Sequence, residues 1–503
     1  MKCRTQNKLR MVKTLFLTFT LTLMSLVVFA QPKPSDVEFS PELNLTQAID
    51  IALANNTQIK RALLSIQDAD QQVRTSRSEV LPEITASANY TRNLEVPVNF
   101  LPEIIFNPGG DPNTLIPVAF GTDNNWTGGF SVSQTLFKGD SFIALSTSDI
   151  YKAVQAESFR ATAQSIVTQT RMAYYQVLIA KEQVRLTTAQ VERIQENLSD
   201  AKKLFKEGFT DEYAVLQLEV QLANLEPQLT SSEFAVGNAK REFLDILGLP
   251  LELQVRLKGN LNTYDVNTLA ESSSENESIK EVDKITPIKL ENDSLFTRQA
   301  FEFRGDLRVL DSQLKLQNKE LSSKKSEYLP SLTASYNLQW TAAQAGKPVF
   351  FGSEDQRARS QTILIGLQLP IFQGFRRDAA IQIAQVQLKD IQLQELQTKR
   401  TASKEILSAQ QAIKEAYQNN TARNKALKQA DIGYKRALLR FQNGVGTQQE
   451  VTDADLQLRQ AEINYAQMVF NYLSAKAQYD LALGQVPFVG ENIDTIKENI
   501  ELK

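Results

Sequence analysis

No histidine occurs in the 503 residues, and the single cysteine is Cys3. Histidine is the usual acid–base group near neutral pH and the commonest metal ligand. Ser-His-Asp, Cys-His and His-zinc arrangements are therefore excluded. One cysteine can form neither an internal disulfide nor a thiolate cluster. Carboxylates and lysines are the groups left with chemistry, so an enzyme is disfavoured, and no cofactor or metal is implied. Among the carboxylates, Glu450 and Asp453 stand three residues apart and share one face of a helix. Thr447-Gln-Gln-Glu450 also reads as a capping box. No isolated carboxylate pair in an apolar setting is visible. A net charge of −3 argues against nucleic-acid binding as the main task, and 42% hydrophobic with 22% charged residues is the composition of a folded chain.

The elements that must position these groups begin with an export signal. Lys2, Arg4, Lys8, Arg10 and Lys13 precede an apolar stretch from Leu15 to Phe29, and Val28-Phe29-Ala30 offers a cleavage site. Residues 1–30 read as a signal peptide whose removal takes Cys3 with it. Losing five positive charges moves the net charge from −3 to −8. No other stretch is apolar enough for a transmembrane helix, so any membrane span must be a β-barrel.

The remainder is duplicated. Ser78-Glu-Val-Leu-Pro-Glu-Ile-Thr-Ala-Ser-Ala-Asn-Tyr90 matches Ser326-Glu-Tyr-Leu-Pro-Ser-Leu-Thr-Ala-Ser-Tyr-Asn-Leu338 at an offset of 248. Farther on, an offset of 236 pairs Phe205 with Phe441, Gly208 with Gly444 and Gly248 with Gly484. The first repeat is 31–249 and the second 296–485, with about twelve extra residues in the first, between Pro82 and Phe137. A polar acidic linker, 250–295, separates them, and a polar tail covers 486–503.

Each repeat reads helix, two strands, long helix, short helix. The first predicts helices 45–80, 139–206 and 212–247 and strands about 84–91 and 126–136. The second predicts helices 296–328, 375–441 and 448–483 and strands about 332–340 and 362–371. Ile406, Ile413, Leu427, Tyr434 and Phe441 form a seven-residue comb, with Asn420 its polar exception, and Val451, Leu458, Tyr465, Tyr472 and Tyr479 form its partner. That is a coiled-coil seam. At about 1.5 Å per residue the long helices span roughly 100 Å, and the two shorter helices of each half, stacked end to end, match that length.

Leu332 to Trp340 alternates apolar and polar residues without fault, and its partner stretch carries Ile363, Ile365, Leu367, Leu369 and Ile371 on one face. Nine residues suit a tilted transmembrane strand. Tyr90, Trp126, Phe137, Trp340 and Phe372 suit the two membrane interfaces. Four strands cannot close a barrel, so the chain must oligomerise. The fold class is α+β: a long antiparallel coiled-coil barrel joined to four β-strands per chain that contribute to an oligomeric β-barrel.

With these patterns in place the chain resembles the TolC family of outer-membrane efflux channels. The sharpest match is Phe441-Gln-Asn-Gly-Val-Gly-Thr-Gln-Gln-Glu-Val-Thr-Asp-Ala454, echoed by Phe205-Lys-Glu-Gly-Phe-Thr210. The resemblance implies a homotrimer with a 12-stranded barrel in outer-membrane lipid, continued by a 12-helix periplasmic tunnel. It implies docking to a periplasmic adaptor and an inner-membrane pump, and no covalent chemistry. It makes Gly208, Phe209, Thr210, Gly444, Val445, Gly446 and Thr447 adaptor-contacting tips, with glycines free to take positive φ. It places Glu450 and Asp453 in acidic rings at the tunnel mouth, favouring cations. The arginine and tyrosine that close the mouth in the family's best-studied pattern are Gly446 and Phe441 here. The acidic partner falls at Ala214, leaving Asp211 and Glu212 as nearby substitutes. The alternative is an exported trimeric coiled-coil surface protein or adhesin, against which the duplication and the strands inside each half both count.

Overall fold

The computed structural model describes residues 42–261, 264 and 300–486. The signal peptide, most of the linker and nearly all of the polar tail lie outside them.

Helix α1, Leu45–Asn55, opens on an Asn44–Gln47 capping box, and α2, Thr57–Ser78, follows after one residue. Strand β1, Glu83–Arg92, leads into a short hairpin of β2, Val98–Pro102, and β3, Leu115–Ala119. Strand β4, Asn124–Phe137, then enters the 68-residue α3, Gly139–Lys206, and α4, Glu212–Leu247, returns. The second half repeats the order. It has α5, Gly305–Ser326; β5, Ser331–Gln344; β6, Arg357–Gln368; α6, Arg376–Gln442; and α7, Gln448–Leu483.

The helix expected over 45–80 is broken at Asn56, whose ψ of 131° is extended. Its side chain accepts from Gln58 N at 2.7 Å, starting α2, and donates to Ile246 O at 2.7 Å, on the last turn of α4. Gly248 ends α4 at φ +69, and a Cβ there would lie 2.5 Å from Asn55 O. The end of α4 thus butts against the break. The second half builds the same joint at the duplicated positions, Arg304 before α5 and Gly484 after α7. A Cβ on Gly484 would lie 2.5 Å from Arg304 N. Gln164 of α3 reaches into that second joint, donating to Phe303 O and Gly484 O and accepting from Gly305 N. So α2 with α4, and α5 with α7, form the end-to-end columns beside α3 and α6. α1 packs aside against α3 and α4.

The first part of the expected linker is packed. Leu43 bridges to Leu257, and Val255, Leu257 and Leu261 are buried.

The sheet runs β1-β4-β5-β6, all antiparallel. Register puts Ile84, Ala86, Ala88 and Tyr90 on one face with Val132, Phe130, Gly128 and Trp126. Tyr336, Leu338 and Trp340, then Ile363, Ile365 and Leu367, continue that face. Thr85, Ser87, Asn89, Ser131, Asn337 and Thr362 share the other. Strand β6 stops at Gln368, because Pro370 cannot donate to a ladder. Arg377 then ties the end of the strand to the helices, donating to Pro370 O and Glu327 O over the ring of Tyr328. The stretch between β1 and β4, where the extra residues of the first repeat fall, contains the β2–β3 hairpin.

Candidate functional site: the helical tips and the coils behind them

Two tight turns join the coils at the end remote from the sheet. At the first, Gly208 lies at φ +80 and donates to Phe205 O, while Phe209 N reaches Leu204 O. Asp211 then caps α4, accepting from Ala214 N at 3.1 Å. At the second, Gly444 lies at φ +69, and Val445 N and Gly446 N both donate to Arg440 O. Gly446 is not at positive φ. It is small because a Cβ there would come within 3.1 Å of the Arg440 side chain and 3.2 Å of Phe441 N.

Phe209, Tyr213 and Val445 are each at least 70% exposed, so the tips present apolar surface rather than bury it. A cleft of about 570 Å³ separates the turns, lined by Phe209, Asp211, Tyr213, Gly446 and Thr447 among others. Gln217 of α4 donates to Gln449 of α7 at 2.8 Å, and Gln442 of α6 to Asp200 of α3 at 3.1 Å. These amide contacts stand where the resemblance led one to look for an arginine–tyrosine–acid network.

Within one chain the four expected gate carboxylates are not brought together. Thr447 caps α7, accepting from Glu450 N at 3.3 Å. The Glu450 carboxylate does not return to the Thr447 backbone as a reciprocal capping box would require; it sits 3.6 Å from Arg440. Asp453 is exposed and accepts from Gln449. Asp211 serves as a cap, and Glu212 is exposed in the first turn of α4. The five aromatics fall into two levels. Tyr90 packs tilted on Trp126, ring centres 4.4 Å apart, near the loop end, with Trp340 beside Phe130. Phe137 and Phe372 stand at the helix end, against Phe142 and Phe375.

Sequence reasoning missed the charges buried between the coils. Asp455 receives Arg193 Nε at 2.8 Å and Gln190 Nε2 at 3.1 Å, joining α7 to α3. Glu462 lies 3.6 Å from Arg193, and burial pushes its carboxyl above the ordinary glutamate range despite Arg193 and Arg185. Farther along, Asp480 is held by Arg171 of α3 at 2.8 Å and by Lys476 one turn before it. Asp455 and Asp480 are buried, and Glu462 is half-buried. A signal existed: Asp455 falls four residues after Val451 and three before Leu458, on the helix face beside the seam row.

Among the described residues no group of three or more acidic, cysteine or histidine side chains could hold a metal, and no helix is long and apolar enough to cross a membrane. A four-stranded sheet, apolar on one face and polar on the other, stands on coiled-coil columns of about 100 Å. That arrangement defines a membrane channel component that spans by β-strands and extends away from the bilayer by helices.

The comparisons with known proteins agree. The family model described as "Outer membrane efflux protein" matches residues 48–248 and 297–485, and the chain belongs to that family. It is 22% identical to outer membrane protein TolC of Vibrio cholerae over 452 residues, covering 88% of this chain and 90% of that one. It is 21% identical to outer membrane protein TolC of Escherichia coli, covering 88% and 82%. Among solved structures it resembles the Campylobacter jejuni CmeC outer membrane channel, with a TM-score of 0.70 at 18% identity, over 91% of this chain and 89% of that one. The protein is an outer-membrane exit duct for efflux or secretion, a passive channel and not an enzyme.

Proposed function

We propose that three copies of this chain close a 12-stranded barrel over a 12-helix tunnel that opens when an adaptor of an efflux or secretion system docks on the tips. The observation that carries this reading is the pair of open edges. β1 and β6 bound the sheet, and each presents one unpaired row of backbone groups. Hydrocarbon cannot satisfy such groups, so the edges must pair with other copies. The polar face, with Thr85, Ser87, Asn337 and Thr362, lines the lumen, and the apolar face meets lipid between the two aromatic levels.

At the far end, the exposed Phe209, Tyr213 and Val445 and the cleft between the turns form the adaptor surface. Glu450 and Asp453, each repeated three times, ring the mouth, and Asp211 and Glu212 add charge from the neighbouring turn. Rings of carboxylates favour cations and are blocked by multivalent ones. Here the mouth is held by Gln217–Gln449 and Gln442–Asp200 and by the seam behind them.

Single-channel conductance of the purified protein in a planar bilayer tests this. A discrete conductance reduced by divalent cations is expected. Replacing Glu450 and Asp453 together by alanine should leave the pore and weaken that block. A double variant blocked like the parent would remove the acidic ring while sparing the duct. Absence of any pore would remove the duct.

A further inference from the structure

Three arginines interrupt the apolar face of the sheet at the end remote from the helices. Arg357 is paired with Ala342 and Arg359 with Trp340 on the face that continues through Ile363 and Ile365. Arg92 lies toward the same end of the other edge strand, paired with Asn124. A cation on a lipid-facing strand costs about 2–4 kcal/mol at the bilayer midplane and about 0–1 near the interface. Three cations at one end therefore mark headgroup depth.

Beside them is a groove of about 560 Å³. Its floor is small, made by Ala86, Ala88 and Gly128, and its walls are Phe130, Trp340 and Phe351. Arg357 closes its outer end. The loop between β5 and β6 folds down over this floor: a Cβ on Gly128 would touch the Phe351 ring at 3.5 Å. Phe351 is held at φ +57, a conformation that bulky residues rarely adopt, and Gly352 follows at φ +65. Arg357 is fixed by the same turn. Its Nε donates to Phe351 O and its Nη2 to Gly352 O, each at 2.8 Å, with the guanidinium 5.7 Å from the Phe351 ring. Arg357 and Arg359 are exposed, and neither forms an ion pair among the described residues. The carboxylates of that loop, Glu354 and Asp355, pair with neither.

We propose that this groove binds a lipid of the outer leaflet whose phosphate-bearing head carries a net negative charge, unlike a zwitterionic head, with an acyl chain lying over Gly128 and the phosphate on Arg357 and Arg359. The proposal rests on the reading that the apolar face meets lipid. An apolar trough ending in two uncompensated guanidiniums complements a molecule with an apolar chain and an anionic head. A preformed, strained turn carries the wall and one of the two cations, so the site is built before the lipid arrives.

Both tryptophans of the chain, Trp126 and Trp340, lie on this face, so intrinsic emission reports lipid at the groove. The full-length protein is reconstituted in mixed vesicles of phosphatidylcholine and phosphatidylglycerol, with bromine on the chains of one lipid and then of the other. At roughly fivefold per arginine, quenching should favour the brominated phosphatidylglycerol by roughly ten- to thirtyfold. The Arg357→Gln, Arg359→Gln double variant should bring that ratio near one while conductance stays unchanged, because neither side chain faces the lumen. Gly128→Leu should lower quenching by both lipids. Equal quenching of the parent protein by the two lipids, or a preference kept by the double variant, would overturn the site. Loss of the preference on adding free inorganic phosphate, but not matched sodium chloride, would assign the arginines to a soluble anion and overturn it as well. No quenching by either lipid, with no conductance, would instead remove the membrane reading.

Discussion

The two halves repeat one plan, yet their long helices end in opposite circumstances. α3 is covered from both sides, by α4 of its own half and by α5 and α7 of the other. It buries side chains along its length, including the charged Arg160 and Arg171. α6 packs mainly on α5 and α7, touches α3 only toward the tips, and buries little beyond its seam. A broad stripe of Ile383, Val386, Leu393, Leu396 and Leu407 stays exposed. The duplication explains the difference: α3 is followed by a second half that covers it, and α6 has only another copy of the chain to do the same. One half shows in a single chain the contacts that the other needs an oligomer to make.

The sharpest break of this comparison is at the covered helix. Asp480→Ala leaves Arg171 and Lys476 buried without their carboxylate, and should cost about 3–5 kcal/mol in denaturant unfolding. The duplicated positions in the first half are Lys240 and Leu244, so only the seam inside the chain carries this cluster. A loss below about 1 kcal/mol would mean that α3 is held by apolar packing alone.

The uncovered helix predicts a different failure. Val386→Glu with Leu393→Glu should leave the helical signal of the chain intact and lower the trimer fraction at least tenfold in sedimentation, because the charges meet an apolar partner surface. Unaltered trimers would put the subunit contact elsewhere.

Glycines refine the contrast further. Gly484 at a joint and Gly444 at a tip have nearly the same φ, +72 and +69, but a Cβ meets backbone only at the joint. Gly444→Ala should cost about 1–2 kcal/mol from conformation alone. Gly484→Ala should cost distinctly more, since its Cβ must displace Arg304 N.

The smallest effect lies at Glu462. Burial raises its carboxyl pKa in the folded state, so the fold keeps this proton at a pH where the unfolded chain has released it. Its contribution to stability is full below the ordinary glutamate range and declines as pH rises through the raised pKa. Glu462→Gln should therefore match or slightly exceed the parent in melting temperature at about pH 7, with the advantage vanishing toward about pH 4. A variant less stable at neutral pH would show that Arg193 outweighs burial.

Much of this was legible in the residues. Alternation over Leu332–Trp340 and the seven-residue combs are local signals, and each is realised: Ile406, Ile413, Tyr434 and Phe441 are buried, and Leu332 through Trp340 lie within β5. The absence of histidine pointed away from catalysis, and the family confirms a channel. The acidic residues beside the turns were singled out by the family resemblance, and within one chain Glu450, Asp453, Asp211 and Glu212 stay apart.

The sequence by itself determined the duplication, the order of helices and strands, and the need for strands to do the spanning. Those properties depend on side chains a few residues apart, where periodicity is strongest. Only the tertiary structure decided the breaks at Asn56 and Arg304, through which the helical pattern runs unbroken. Each break is imposed by a helix end brought from far away: Asn56 meets Ile246 across 190 residues, and Gln164 meets Gly484 across 320. The same holds for Arg171 with Asp480 and for the arginines on the apolar face of the sheet. In sequence a charge in a seam resembles a solvated one. What distinguishes them is the water that folding removes and the partner that replaces it.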